Sequence, residues 1–387
     1  MPVPVRYHVR SLFVRRTATA LTVAAIGFTT FILVLVLSLA AGFEESMAES
    51  GSEDNVIVLR DAAMSEGESV LDREQARLVS GRPEIARDPG DGTQLAAAEL
   101  YAGIHLEKST GGGTNISVRG TSAKGLALRP GVGLAEGRMF RPGTEEVVVG
   151  QGLVDRVLGC RLGGAIDFQG RPMPVVGVLR SDGGVFDSEV WGDVEVMLQV
   201  FDREAYSSVL ARLGDPSGLA GLQALVKDDP RLPLKVVPER TYFREQSGLL
   251  GTVLRAMAYF LASIMAVGAI FGSTNTLLAS LAGRSREIGT LLALGYRPFH
   301  IRMGFLLEAL LLGLLGGACG LLFSIPVHGA ATGTTNWSTF TEQTFAFAVT
   351  PRVMLQAVFF AGIVGVVGGV VPAFRAAGVP PTEALRA

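Results

Sequence analysis

The sequence predicts an α-helical membrane protein with four transmembrane helices and an external α+β domain of two subdomains, inserted between the first and second helices. Of the 387 residues, 48% are hydrophobic and only 18% are charged, which is less charge than soluble globular proteins usually carry. The apolar residues are concentrated in four blocks, 17–41, 252–282, 305–327 and 353–371. Each block is near the roughly 20 residues that a helix needs to cross a bilayer. Residues 42–251, in contrast, have an ordinary globular composition.

The first block follows a basic start and could be mistaken for a signal peptide. Its apolar run is much longer than the roughly 7–15 residues of a signal peptide's hydrophobic region. We therefore predict an uncleaved span, with cleavage as the alternative. The predicted division of the chain is an N-terminal segment 1–16, transmembrane helix 17–41, large external domain 42–251, transmembrane helix 252–282, a segment 283–302 that is called the coupling segment below, transmembrane helix 303–327, external loop 328–351, transmembrane helix 352–372 and C-terminal tail 373–387.

The external domain shows the patterns of short strands and helices. Its two ends predict an α/β unit, from the strand NVIVLR, a helix in SVLDREQARLVSG capped by its serine, and the strand–helix–strand series SSVLARL, PSGLAGLQALVKDD and LKVVPE. The middle predicts a β-rich insert of strands divided by Gly and Pro turns. Those strands are NISVRG, EEVVVGQ, AIDFQG, PMPVVGVL and VEVMLQVF.

The distribution of arginine predicts the orientation in the membrane. Short segments on the cytoplasmic side carry an excess of Lys and Arg. The N-terminus, the loop after the second span and the tail together hold Arg6, Arg10, Arg15, Arg16, Arg284, Arg286, Arg297, Arg302, Arg375 and Arg386, against Glu287 and Glu383. Both termini are therefore predicted to be cytoplasmic, and the large domain external. In a bacterium this means a multi-pass protein of the inner (cytoplasmic) membrane with a periplasmic domain.

The spans contain small residues four apart and one acidic residue. Gly313 with Gly317, Gly316 with Gly320, and Gly365 with Gly369 allow helix backbones to approach closely. Their partner is either a helix of the same chain, which we favour, or a second copy. An ionisable group inside a span usually has a partner or a role. We expect Glu308 to pair with Arg302 or another loop arginine.

The segment 283–302, GRSREIGTLLALGYRPFHIR, has a helical pattern where a short loop would suffice. Ile288, Leu291 and Leu292 fall on one helical face. Gly295 stands where the glycine after a helix C-terminus would stand, and Pro298 where the next helix would begin. The pattern therefore predicts two helices joined by a tight corner. The alternative is a plain interfacial helix that its arginines anchor to anionic lipid.

The sequence carries no motif of an enzyme or of a resident cofactor. It has no G-x-x-x-x-G-K-[ST] loop for phosphates, no G-x-S-x-G elbow, and no H-x-x-x-H or paired cysteines for zinc. Cys160 and Cys319 predict no disulfide framework. The net charge of −2 predicts no nucleic-acid partner. We therefore expect a non-catalytic subunit with no cofactor and no metal of its own.

Three stretches resemble a known family. The coupling segment with the following FLLEALLLG resembles the FtsX-like permease domain of ABC transporters, through its Arg-Glu-Ile-Gly run and its Leu-Gly before the turn. The ending PAFRAAGVPPTEALRA resembles the tail of the same family. The stretches GLAEGRMF, EEVVVGQGLVDRVLG and PMPVVGVL resemble the periplasmic core domain of MacB-type permeases.

The resemblance implies a permease subunit that converts ATP hydrolysis by a cytoplasmic ABC ATPase dimer into motion of its periplasmic domain. That motion would export or extract a peptide, lipoprotein, lipid or drug. ATP and Mg would sit on the ATPase, expected on a separate chain because no phosphate loop is present here. Further implied partners are a second permease copy or paralogue and a periplasmic adaptor or carrier protein. The predicted ATPase-coupling residues are Arg284, Arg286, Glu287, Ile288, Leu291, Leu292 and Gly295.

Two other functions remain open at this point. One is an FtsX-like transmembrane signalling subunit that regulates a periplasmic or cell-wall partner and transports nothing. The other is a membrane-anchored enzyme, which the missing catalytic motifs disfavour.

Overall fold

The structure is a computed structural model that describes residues 16–181, 183–336 and 339–378. The predicted N-terminal arginines Arg6, Arg10 and Arg15, and Glu383 and Arg386 of the tail, lie outside the described residues. The chain divides into two compact units. The helical unit comprises the described residues within 1–41, 252–330 and 347–387, and the sheet unit comprises 42–251 and 331–346.

The described helices and strands follow one another in this order: α1 (Arg16–Ser50), β1 (Asn55–Arg60), α2 (Arg73–Ser80), β2 (Ala96–Glu107), β3 (Gly113–Thr121), α3 (Ala123–Ala127), β4 (Gly133–Gly137), β5 (Val147–Gly150), β6 (Ala165–Phe168), β7 (Arg171–Arg180), β8 (Glu189–Asp193), α4 (Val194–Val200), β9 (Ser208–Arg212), α5 (Gly218–Asp228), β10 (Leu234–Pro238), α6 (Glu239–Ala282), α7 (Ser285–Ala293), α8 (Pro298–Ser324), β11 (Ala331–Asn336), β12 (Thr341–Ala346) and α9 (Pro351–Ala377). Short 3-10 turns lie between some of them.

Within the described residues, four helices are long and apolar enough to cross a membrane, by length and composition. They are α1, α6, α8 and α9, as the four apolar blocks predicted. The helices are longer than the blocks, since α1 continues to Ser50 and α6 already begins at Glu239. Helical hydrogen bonding is not confined to apolar residues, so hydropathy locates a span but does not mark the end of its helix.

Glycines hold the helices of the helical unit close together. A Cβ at Gly313 of α8 would lie 2.5 Å from the Ala361 carbonyl oxygen and 3.0 Å from the Cα of Gly365, both on α9. A Cβ at Gly316 would lie 2.7 Å from Ile26 of α1, and one at Gly320 would lie 2.6 Å from the Gly27 carbonyl oxygen. Gly317 and Gly369 face Ala361 and Ala309 in the same way. The glycines identified in the sequence thus pack against helices of this same chain.

The described residues of the sheet unit are built on one continuous sheet with two large hydrophobic cores. The strand order is β10-β1-β9-β2-β3-β8-β5-β7-β4, with β6 paired to β7. One core packs α2 and α5 against β1, β9 and β10, and the other packs α4 against the central strands β3, β5, β7 and β8. The two cores correspond to the two predicted subdomains. They share a sheet because the long strand β2 pairs with β9 through Ala96–Glu99 and with β3 from Leu100 onwards.

Two local predictions in this unit are wrong. VEVMLQVF, predicted as a strand, begins with the helix α4. Asp193 caps that helix by accepting hydrogen bonds from the backbone N–H groups of Glu195 and Val196, which overrides the strand preference of the valines. Ser69 does not cap α2, because Asp72 does so in a capping box with Gln75.

The predicted loop 328–351 contains a β-hairpin that belongs to the sheet unit. Strands β11 and β12 pair antiparallel from Ala331 with Ala346 to Asn336 with Thr341. The Ser117 hydroxyl of β3 donates a hydrogen bond of 2.9 Å to the Thr341 hydroxyl. The hydroxyls of Ser188 and Thr344 lie 2.6 Å apart, and the Thr344 N–H donates to Ser188 Oγ at 2.7 Å. The short segment between two candidate spans is therefore an integral part of the sheet unit.

Candidate functional site

The two helices of the coupling segment meet in a tight corner, as predicted. α7 ends at Ala293, and Gly295 has a φ of +87°, a conformation that glycine adopts without steric strain. The N–H of Gly295 bonds to the Leu292 carbonyl, and the N–H of Tyr296 bonds to the Leu291 carbonyl, each at 3.1 Å. This hydrogen-bond pair is the Schellman motif of a helix C-terminus. Pro298 is the first residue of α8.

The apolar face of α7 packs inside the helical unit. Ile288 is 5% exposed and lies in a cluster with Leu281, Ile301, Phe305, Ala373 and Ala376, contributed by α6, α8 and α9. Leu292 packs against the same cluster, and Leu291 is half-buried. Ile288, one of the predicted ATPase-coupling residues, is therefore not exposed for direct contact with a partner. The tight corner folds α7 back onto the spans, so its own chain covers the face.

Other apolar side chains are exposed at the corner itself. Leu294 is 72% exposed and Phe299 is 60% exposed, one on each side of the turn. Arg286, Glu287 and Arg297 are exposed around them. The sequence reasoning missed Leu294 and Phe299 because neither falls on the helical stripe. Leu294 stands before the glycine that follows α7, and Phe299 stands after the proline that begins α8. These positions beside a tight turn are the sequence feature that could have indicated their exposure.

The charges of the corner are connected to the interior of the spans. Glu308 of α8 is 4% exposed and pairs with Arg284 at 3.2 Å. Arg284 also lies 3.6 Å from Glu287. Arg302, the other predicted partner of Glu308, stacks over the ring of Phe374 at 5.0 Å. Arg284 therefore has a structural role inside the unit and is only partly available to a partner.

A network of buried ion pairs lies at the centre of the sheet unit. The Arg119 guanidinium on β3 binds the carboxylates of Glu66, Glu99 and Glu189 at 2.8–2.9 Å. The Arg129 guanidinium forms two hydrogen bonds of 2.7 Å to Glu99. Both arginines are at most 4% exposed. Burial raises the pKa of Glu99, but the charges of Arg129 and Arg119 outweigh that effect and bring it to about 2. Glu99 is therefore ionised at any physiological pH.

Little in the amino-acid sequence indicates this network. Its members are far apart along the chain, and Arg119 occurs in NISVRG as one more polar residue of an alternating strand. Only the sheet order, which places β2, β3 and β8 side by side, brings the charges together. A buried ion network holds its strands in one arrangement because each lost partner leaves an uncompensated charge.

The hairpin is anchored by a second group of charges. Glu342 on β12 lies 2.5 Å from the Lys108 ammonium and 2.9 Å from the Arg156 guanidinium, and accepts a 2.6 Å hydrogen bond from Thr114. Burial raises the pKa of Glu342, but the hydrogen bonds from Lys108 and Thr114 and the two positive charges outweigh this effect. Its pKa is therefore lower than that of an ordinary carboxyl.

Among the described residues, no group of three or more His, Cys, Asp or Glu side chains is placed to hold a metal ion. Cys160 is buried in the larger core of the sheet unit, and burial raises the pKa of its thiol to about 12. A thiol in such surroundings is a poor nucleophile.

Two protein-family models match this chain. The model of the MacB-like periplasmic core domain matches residues 19–229, which is more than half of the chain. The model of the FtsX-like permease C-terminal domain matches residues 259–381. The macrolide export ATP-binding/permease protein MacB 1 of Aeromonas hydrophila is 29% identical over 287 residues, covering 70% of this chain and 43% of that protein.

A second relative is the uncharacterized ABC transporter permease YknZ of Bacillus subtilis. It is 30% identical over 241 residues, 58% of this chain and 57% of that protein. The chain thus spans about half the length of the curated relatives it matches. Among solved structures, the extracellular domain of YknZ from Gram-positive bacteria is 15% identical and covers 47% of this chain and 99% of that one, with a TM-score of 0.37. With a family model matching more than half of its length, the chain belongs to the ABC transporter permease family that joins a MacB-like periplasmic core domain to an FtsX-like permease C-terminal domain.

Proposed function

We propose that this chain is the permease subunit through which a cytoplasmic ABC ATPase dimer drives motion of a periplasmic domain, in order to export or extract a substrate. The observation that carries the proposal is the α7–α8 corner. It is fixed to the spans by Ile288 and it presents Leu294 and Phe299 outward. The proposed location is the bacterial cytoplasmic membrane, with the corner inside and the sheet unit outside.

The docking surface for the ATPase consists of Leu294, Phe299, Arg286, Glu287 and Arg297. Two exposed apolar side chains in a ring of charges fit a groove on a partner, as in other helix-in-groove contacts. Ile288, Leu292 and Gly295 have a different role in this proposal. They hold the corner in one conformation. A displacement of the docking surface would therefore move α6, α8 and α9 instead of bending a flexible loop.

Motion reaches the sheet unit through more than one chain connection. α6 runs without a break from Glu239, in the sheet unit, to Ala282, next to the coupling segment. The hairpin β11–β12 lies between α8 and α9 in the chain. Its residue Glu342 forms ion pairs with Lys108 and Arg156 of the sheet unit. We propose that both connections transmit force. The hairpin lies within residues 328–351, which the sequence predicts as a loop.

The ATP hydrolysis that drives the motion is proposed to take place on an ABC ATPase outside the described residues; the name of the relative from Aeromonas joins ATP-binding and permease functions. A second copy of the permease or a paralogue would complete the transport unit, and a periplasmic adaptor or carrier would receive the substrate. The substrate class stays broad, as a peptide, lipoprotein, lipid or drug.

The test is co-purification of ATPase activity with the tagged full-length chain from its native membranes. Wild type should bring down Mg²⁺-dependent ATP hydrolysis. Leu294→Asp and Phe299→Asp should each reduce it by at least about tenfold at equal membrane levels, since burying such a side chain contributes roughly 1.5–3 kcal/mol. Leu162→Asp is the matched control, because Leu162 is 45% exposed in the sheet unit. Full ATPase recovery with both corner variants would overturn the docking surface, and absence of ATPase from wild type would overturn the transporter proposal.

A further inference from the structure

An arginine near the start of α8 carries a charge that no acidic side chain of the described residues neutralises. Glu308, a predicted partner of Arg302, pairs instead with Arg284 at 3.2 Å. Within the part of the chain that the structure describes, Arg302 forms no ion pair and its side chain forms no hydrogen bond. A guanidinium stays charged at any physiological pH. Arg302 therefore needs a counterion that these residues do not supply.

The side chain of Arg302 is held against α9 with its outer end open. Its guanidinium carbon lies 5.0 Å from the centre of the Phe374 ring, which is a cation–π contact. Nε is the one guanidinium nitrogen that is fully buried, and the side chain as a whole is only partly buried, so the two terminal nitrogens face outward. Two terminal nitrogens of a guanidinium match two oxygens of a phosphate group.

Arg302 lies where two candidate spans end side by side. α8 begins at Pro298 and α9 ends at Ala377. Ile301 of α8 and Ala373 of α9 belong to one buried cluster, so these two helix ends are neighbours within the helical unit. Arg302 is roughly 6 Å along the helix axis from the first residue of α8. An arginine this close to the end of a span reaches the headgroup layer of the bilayer.

An exposed apolar stripe continues from this position along α9. Phe374, Val371, Val367 and Ile363 are all exposed and follow one another at intervals of three or four residues, which places them on one face of the helix. From the first to the last, the helix rises about 16 Å at about 1.5 Å per residue. Half of the roughly 30 Å hydrocarbon core of a bilayer is nearly the same length. The stripe can therefore accompany one acyl chain through its leaflet.

The charges around Arg302 favour an anion. Arg375 follows Phe374 in the chain, is exposed, and forms no ion pair among the described residues. The carboxylates of Glu287 and Glu308 both lie near Arg284, at 3.6 and 3.2 Å. This end of the helical unit is therefore positively charged on balance. Basic sites between transmembrane helices bind anionic lipid headgroups.

We propose that Arg302 and Phe374 form a binding site for an anionic phospholipid. The terminal nitrogens of Arg302 donate two hydrogen bonds to the lipid phosphate, and one acyl chain lies along α9 from Phe374 to Ile363. Phosphatidylglycerol, with its net negative charge, is preferred over phosphatidylcholine, because the choline group already neutralises the phosphate and is repelled by Arg375. The site lies within the helical unit, and it depends neither on an ATPase nor on which side of the membrane the corner faces.

The test is competition binding to the purified full-length chain in detergent, without any ATPase. Phosphatidylglycerol with a fluorescent label on one acyl chain is the probe, and its anisotropy reports the bound fraction. Dioleoyl-phosphatidylglycerol should displace the probe at a concentration at least about tenfold lower than dioleoyl-phosphatidylcholine does, because hydrogen bonds to an uncompensated charge are strong. Millimolar inorganic phosphate should displace none, since it has no acyl chain. Absence of saturable probe binding, equal displacement by the two lipids, or displacement by inorganic phosphate would overturn the proposal.

Four variants assign the preference to this site. Arg302→Gln should abolish it, and Arg302→Lys should retain part of it, because lysine keeps the charge but lacks the planar pair of donors. Phe374→Leu keeps the stripe apolar but releases the guanidinium, so the preference should weaken; this variant keeps the test valid if Arg302→Gln unfolds. Arg352→Gln is the matched control, since Arg352 is an exposed arginine at the opposite end of α9. An unchanged preference in folded Arg302→Gln, or an equal loss in Arg352→Gln, would show that the lipid binds elsewhere.

Discussion

The interiors of the two units are stabilised in opposite ways. The sheet unit buries charges, with Arg119 and Arg129 held among carboxylates. The helical unit buries mainly small and aliphatic side chains, and brings α8 and α9 together at Gly313 and Gly365. For the sheet unit, the removal of apolar side chains from water stabilises the fold. Paired buried charges can then specify how its strands are arranged. Between helices in a lipid bilayer, the hydrophobic effect does not favour association. Van der Waals contact between closely approaching helix backbones therefore has to hold the helices together.

The largest expected effect is the loss of the central cation of the sheet unit. Arg119→Met would leave Glu66, Glu99 and Glu189 buried without their shared partner. Breaking a buried ion pair in this way typically costs about 3–5 kcal/mol. We expect the free energy of unfolding of the sheet unit to fall by at least that amount in denaturant titrations of the full-length chain. A change below about 1 kcal/mol would mean that the network contributes no more than surface charges do.

The corresponding test in the helical unit adds a single methyl group to a glycine of α8. Gly313→Ala would place a Cβ 2.5 Å from the Ala361 carbonyl oxygen, so α8 and α9 would have to separate. Overpacking of this kind costs about 1–3 kcal/mol. Gly268→Ala on α6 is the control, since its Cβ would meet no atom of this chain within 4 Å. Thermal unfolding in detergent should show destabilisation for Gly313→Ala and none for Gly268→Ala. The same response from both would contradict intrachain glycine packing.

These two tests also separate what the sequence could predict from what it could not. The helices, the α7–α8 corner and most strands follow from local signals such as apolar length, the glycine at 295, the proline at 298 and alternating patterns. The burial of Ile288 and the pairing of Arg119 with three glutamates depend on contacts distant in sequence, so no local pattern carries them. The hairpin was missed because its two strands are short, mostly polar and without an alternating apolar pattern, and their partners lie in β3 and in the turn before β8. VEVMLQVF was misassigned because one capping aspartate outweighed a β-branched sequence.

Acid should detach the hairpin before it disrupts the central network. The pKa of Glu342 is lowered, so its stabilising contacts are fully present above the ordinary carboxyl pKa of about 4.3 and are lost as the pH falls through the lowered value. Glu99 has a pKa of about 2 and stays ionised over most of that interval. Hydrogen exchange of β11–β12, corrected for intrinsic rates, should therefore accelerate on acidification before that of β2 and β3. Glu342→Gln should weaken the protection already at pH 7 and remove its acid dependence. Simultaneous loss of protection in the hairpin and in β2 would contradict the order.

The smallest effect on the free energy of unfolding is expected at the surface of the sheet unit, where an arginine–glutamate pair is exposed to water. Arg73 binds Glu195 with two hydrogen bonds of 2.8 and 3.3 Å, a geometry close to that of Arg119 with Glu189. The Arg73 and Glu195 side chains are 58% and 49% exposed, however. Exposed ion pairs contribute about 0–1 kcal/mol, because water solvates each partner once the other is removed. Arg73→Met should therefore change the free energy of unfolding by less than about 1 kcal/mol and become neutral at high salt. If Arg73→Met destabilised the unit as much as Arg119→Met, bond geometry and not burial would determine the effect of a lost charge in this protein.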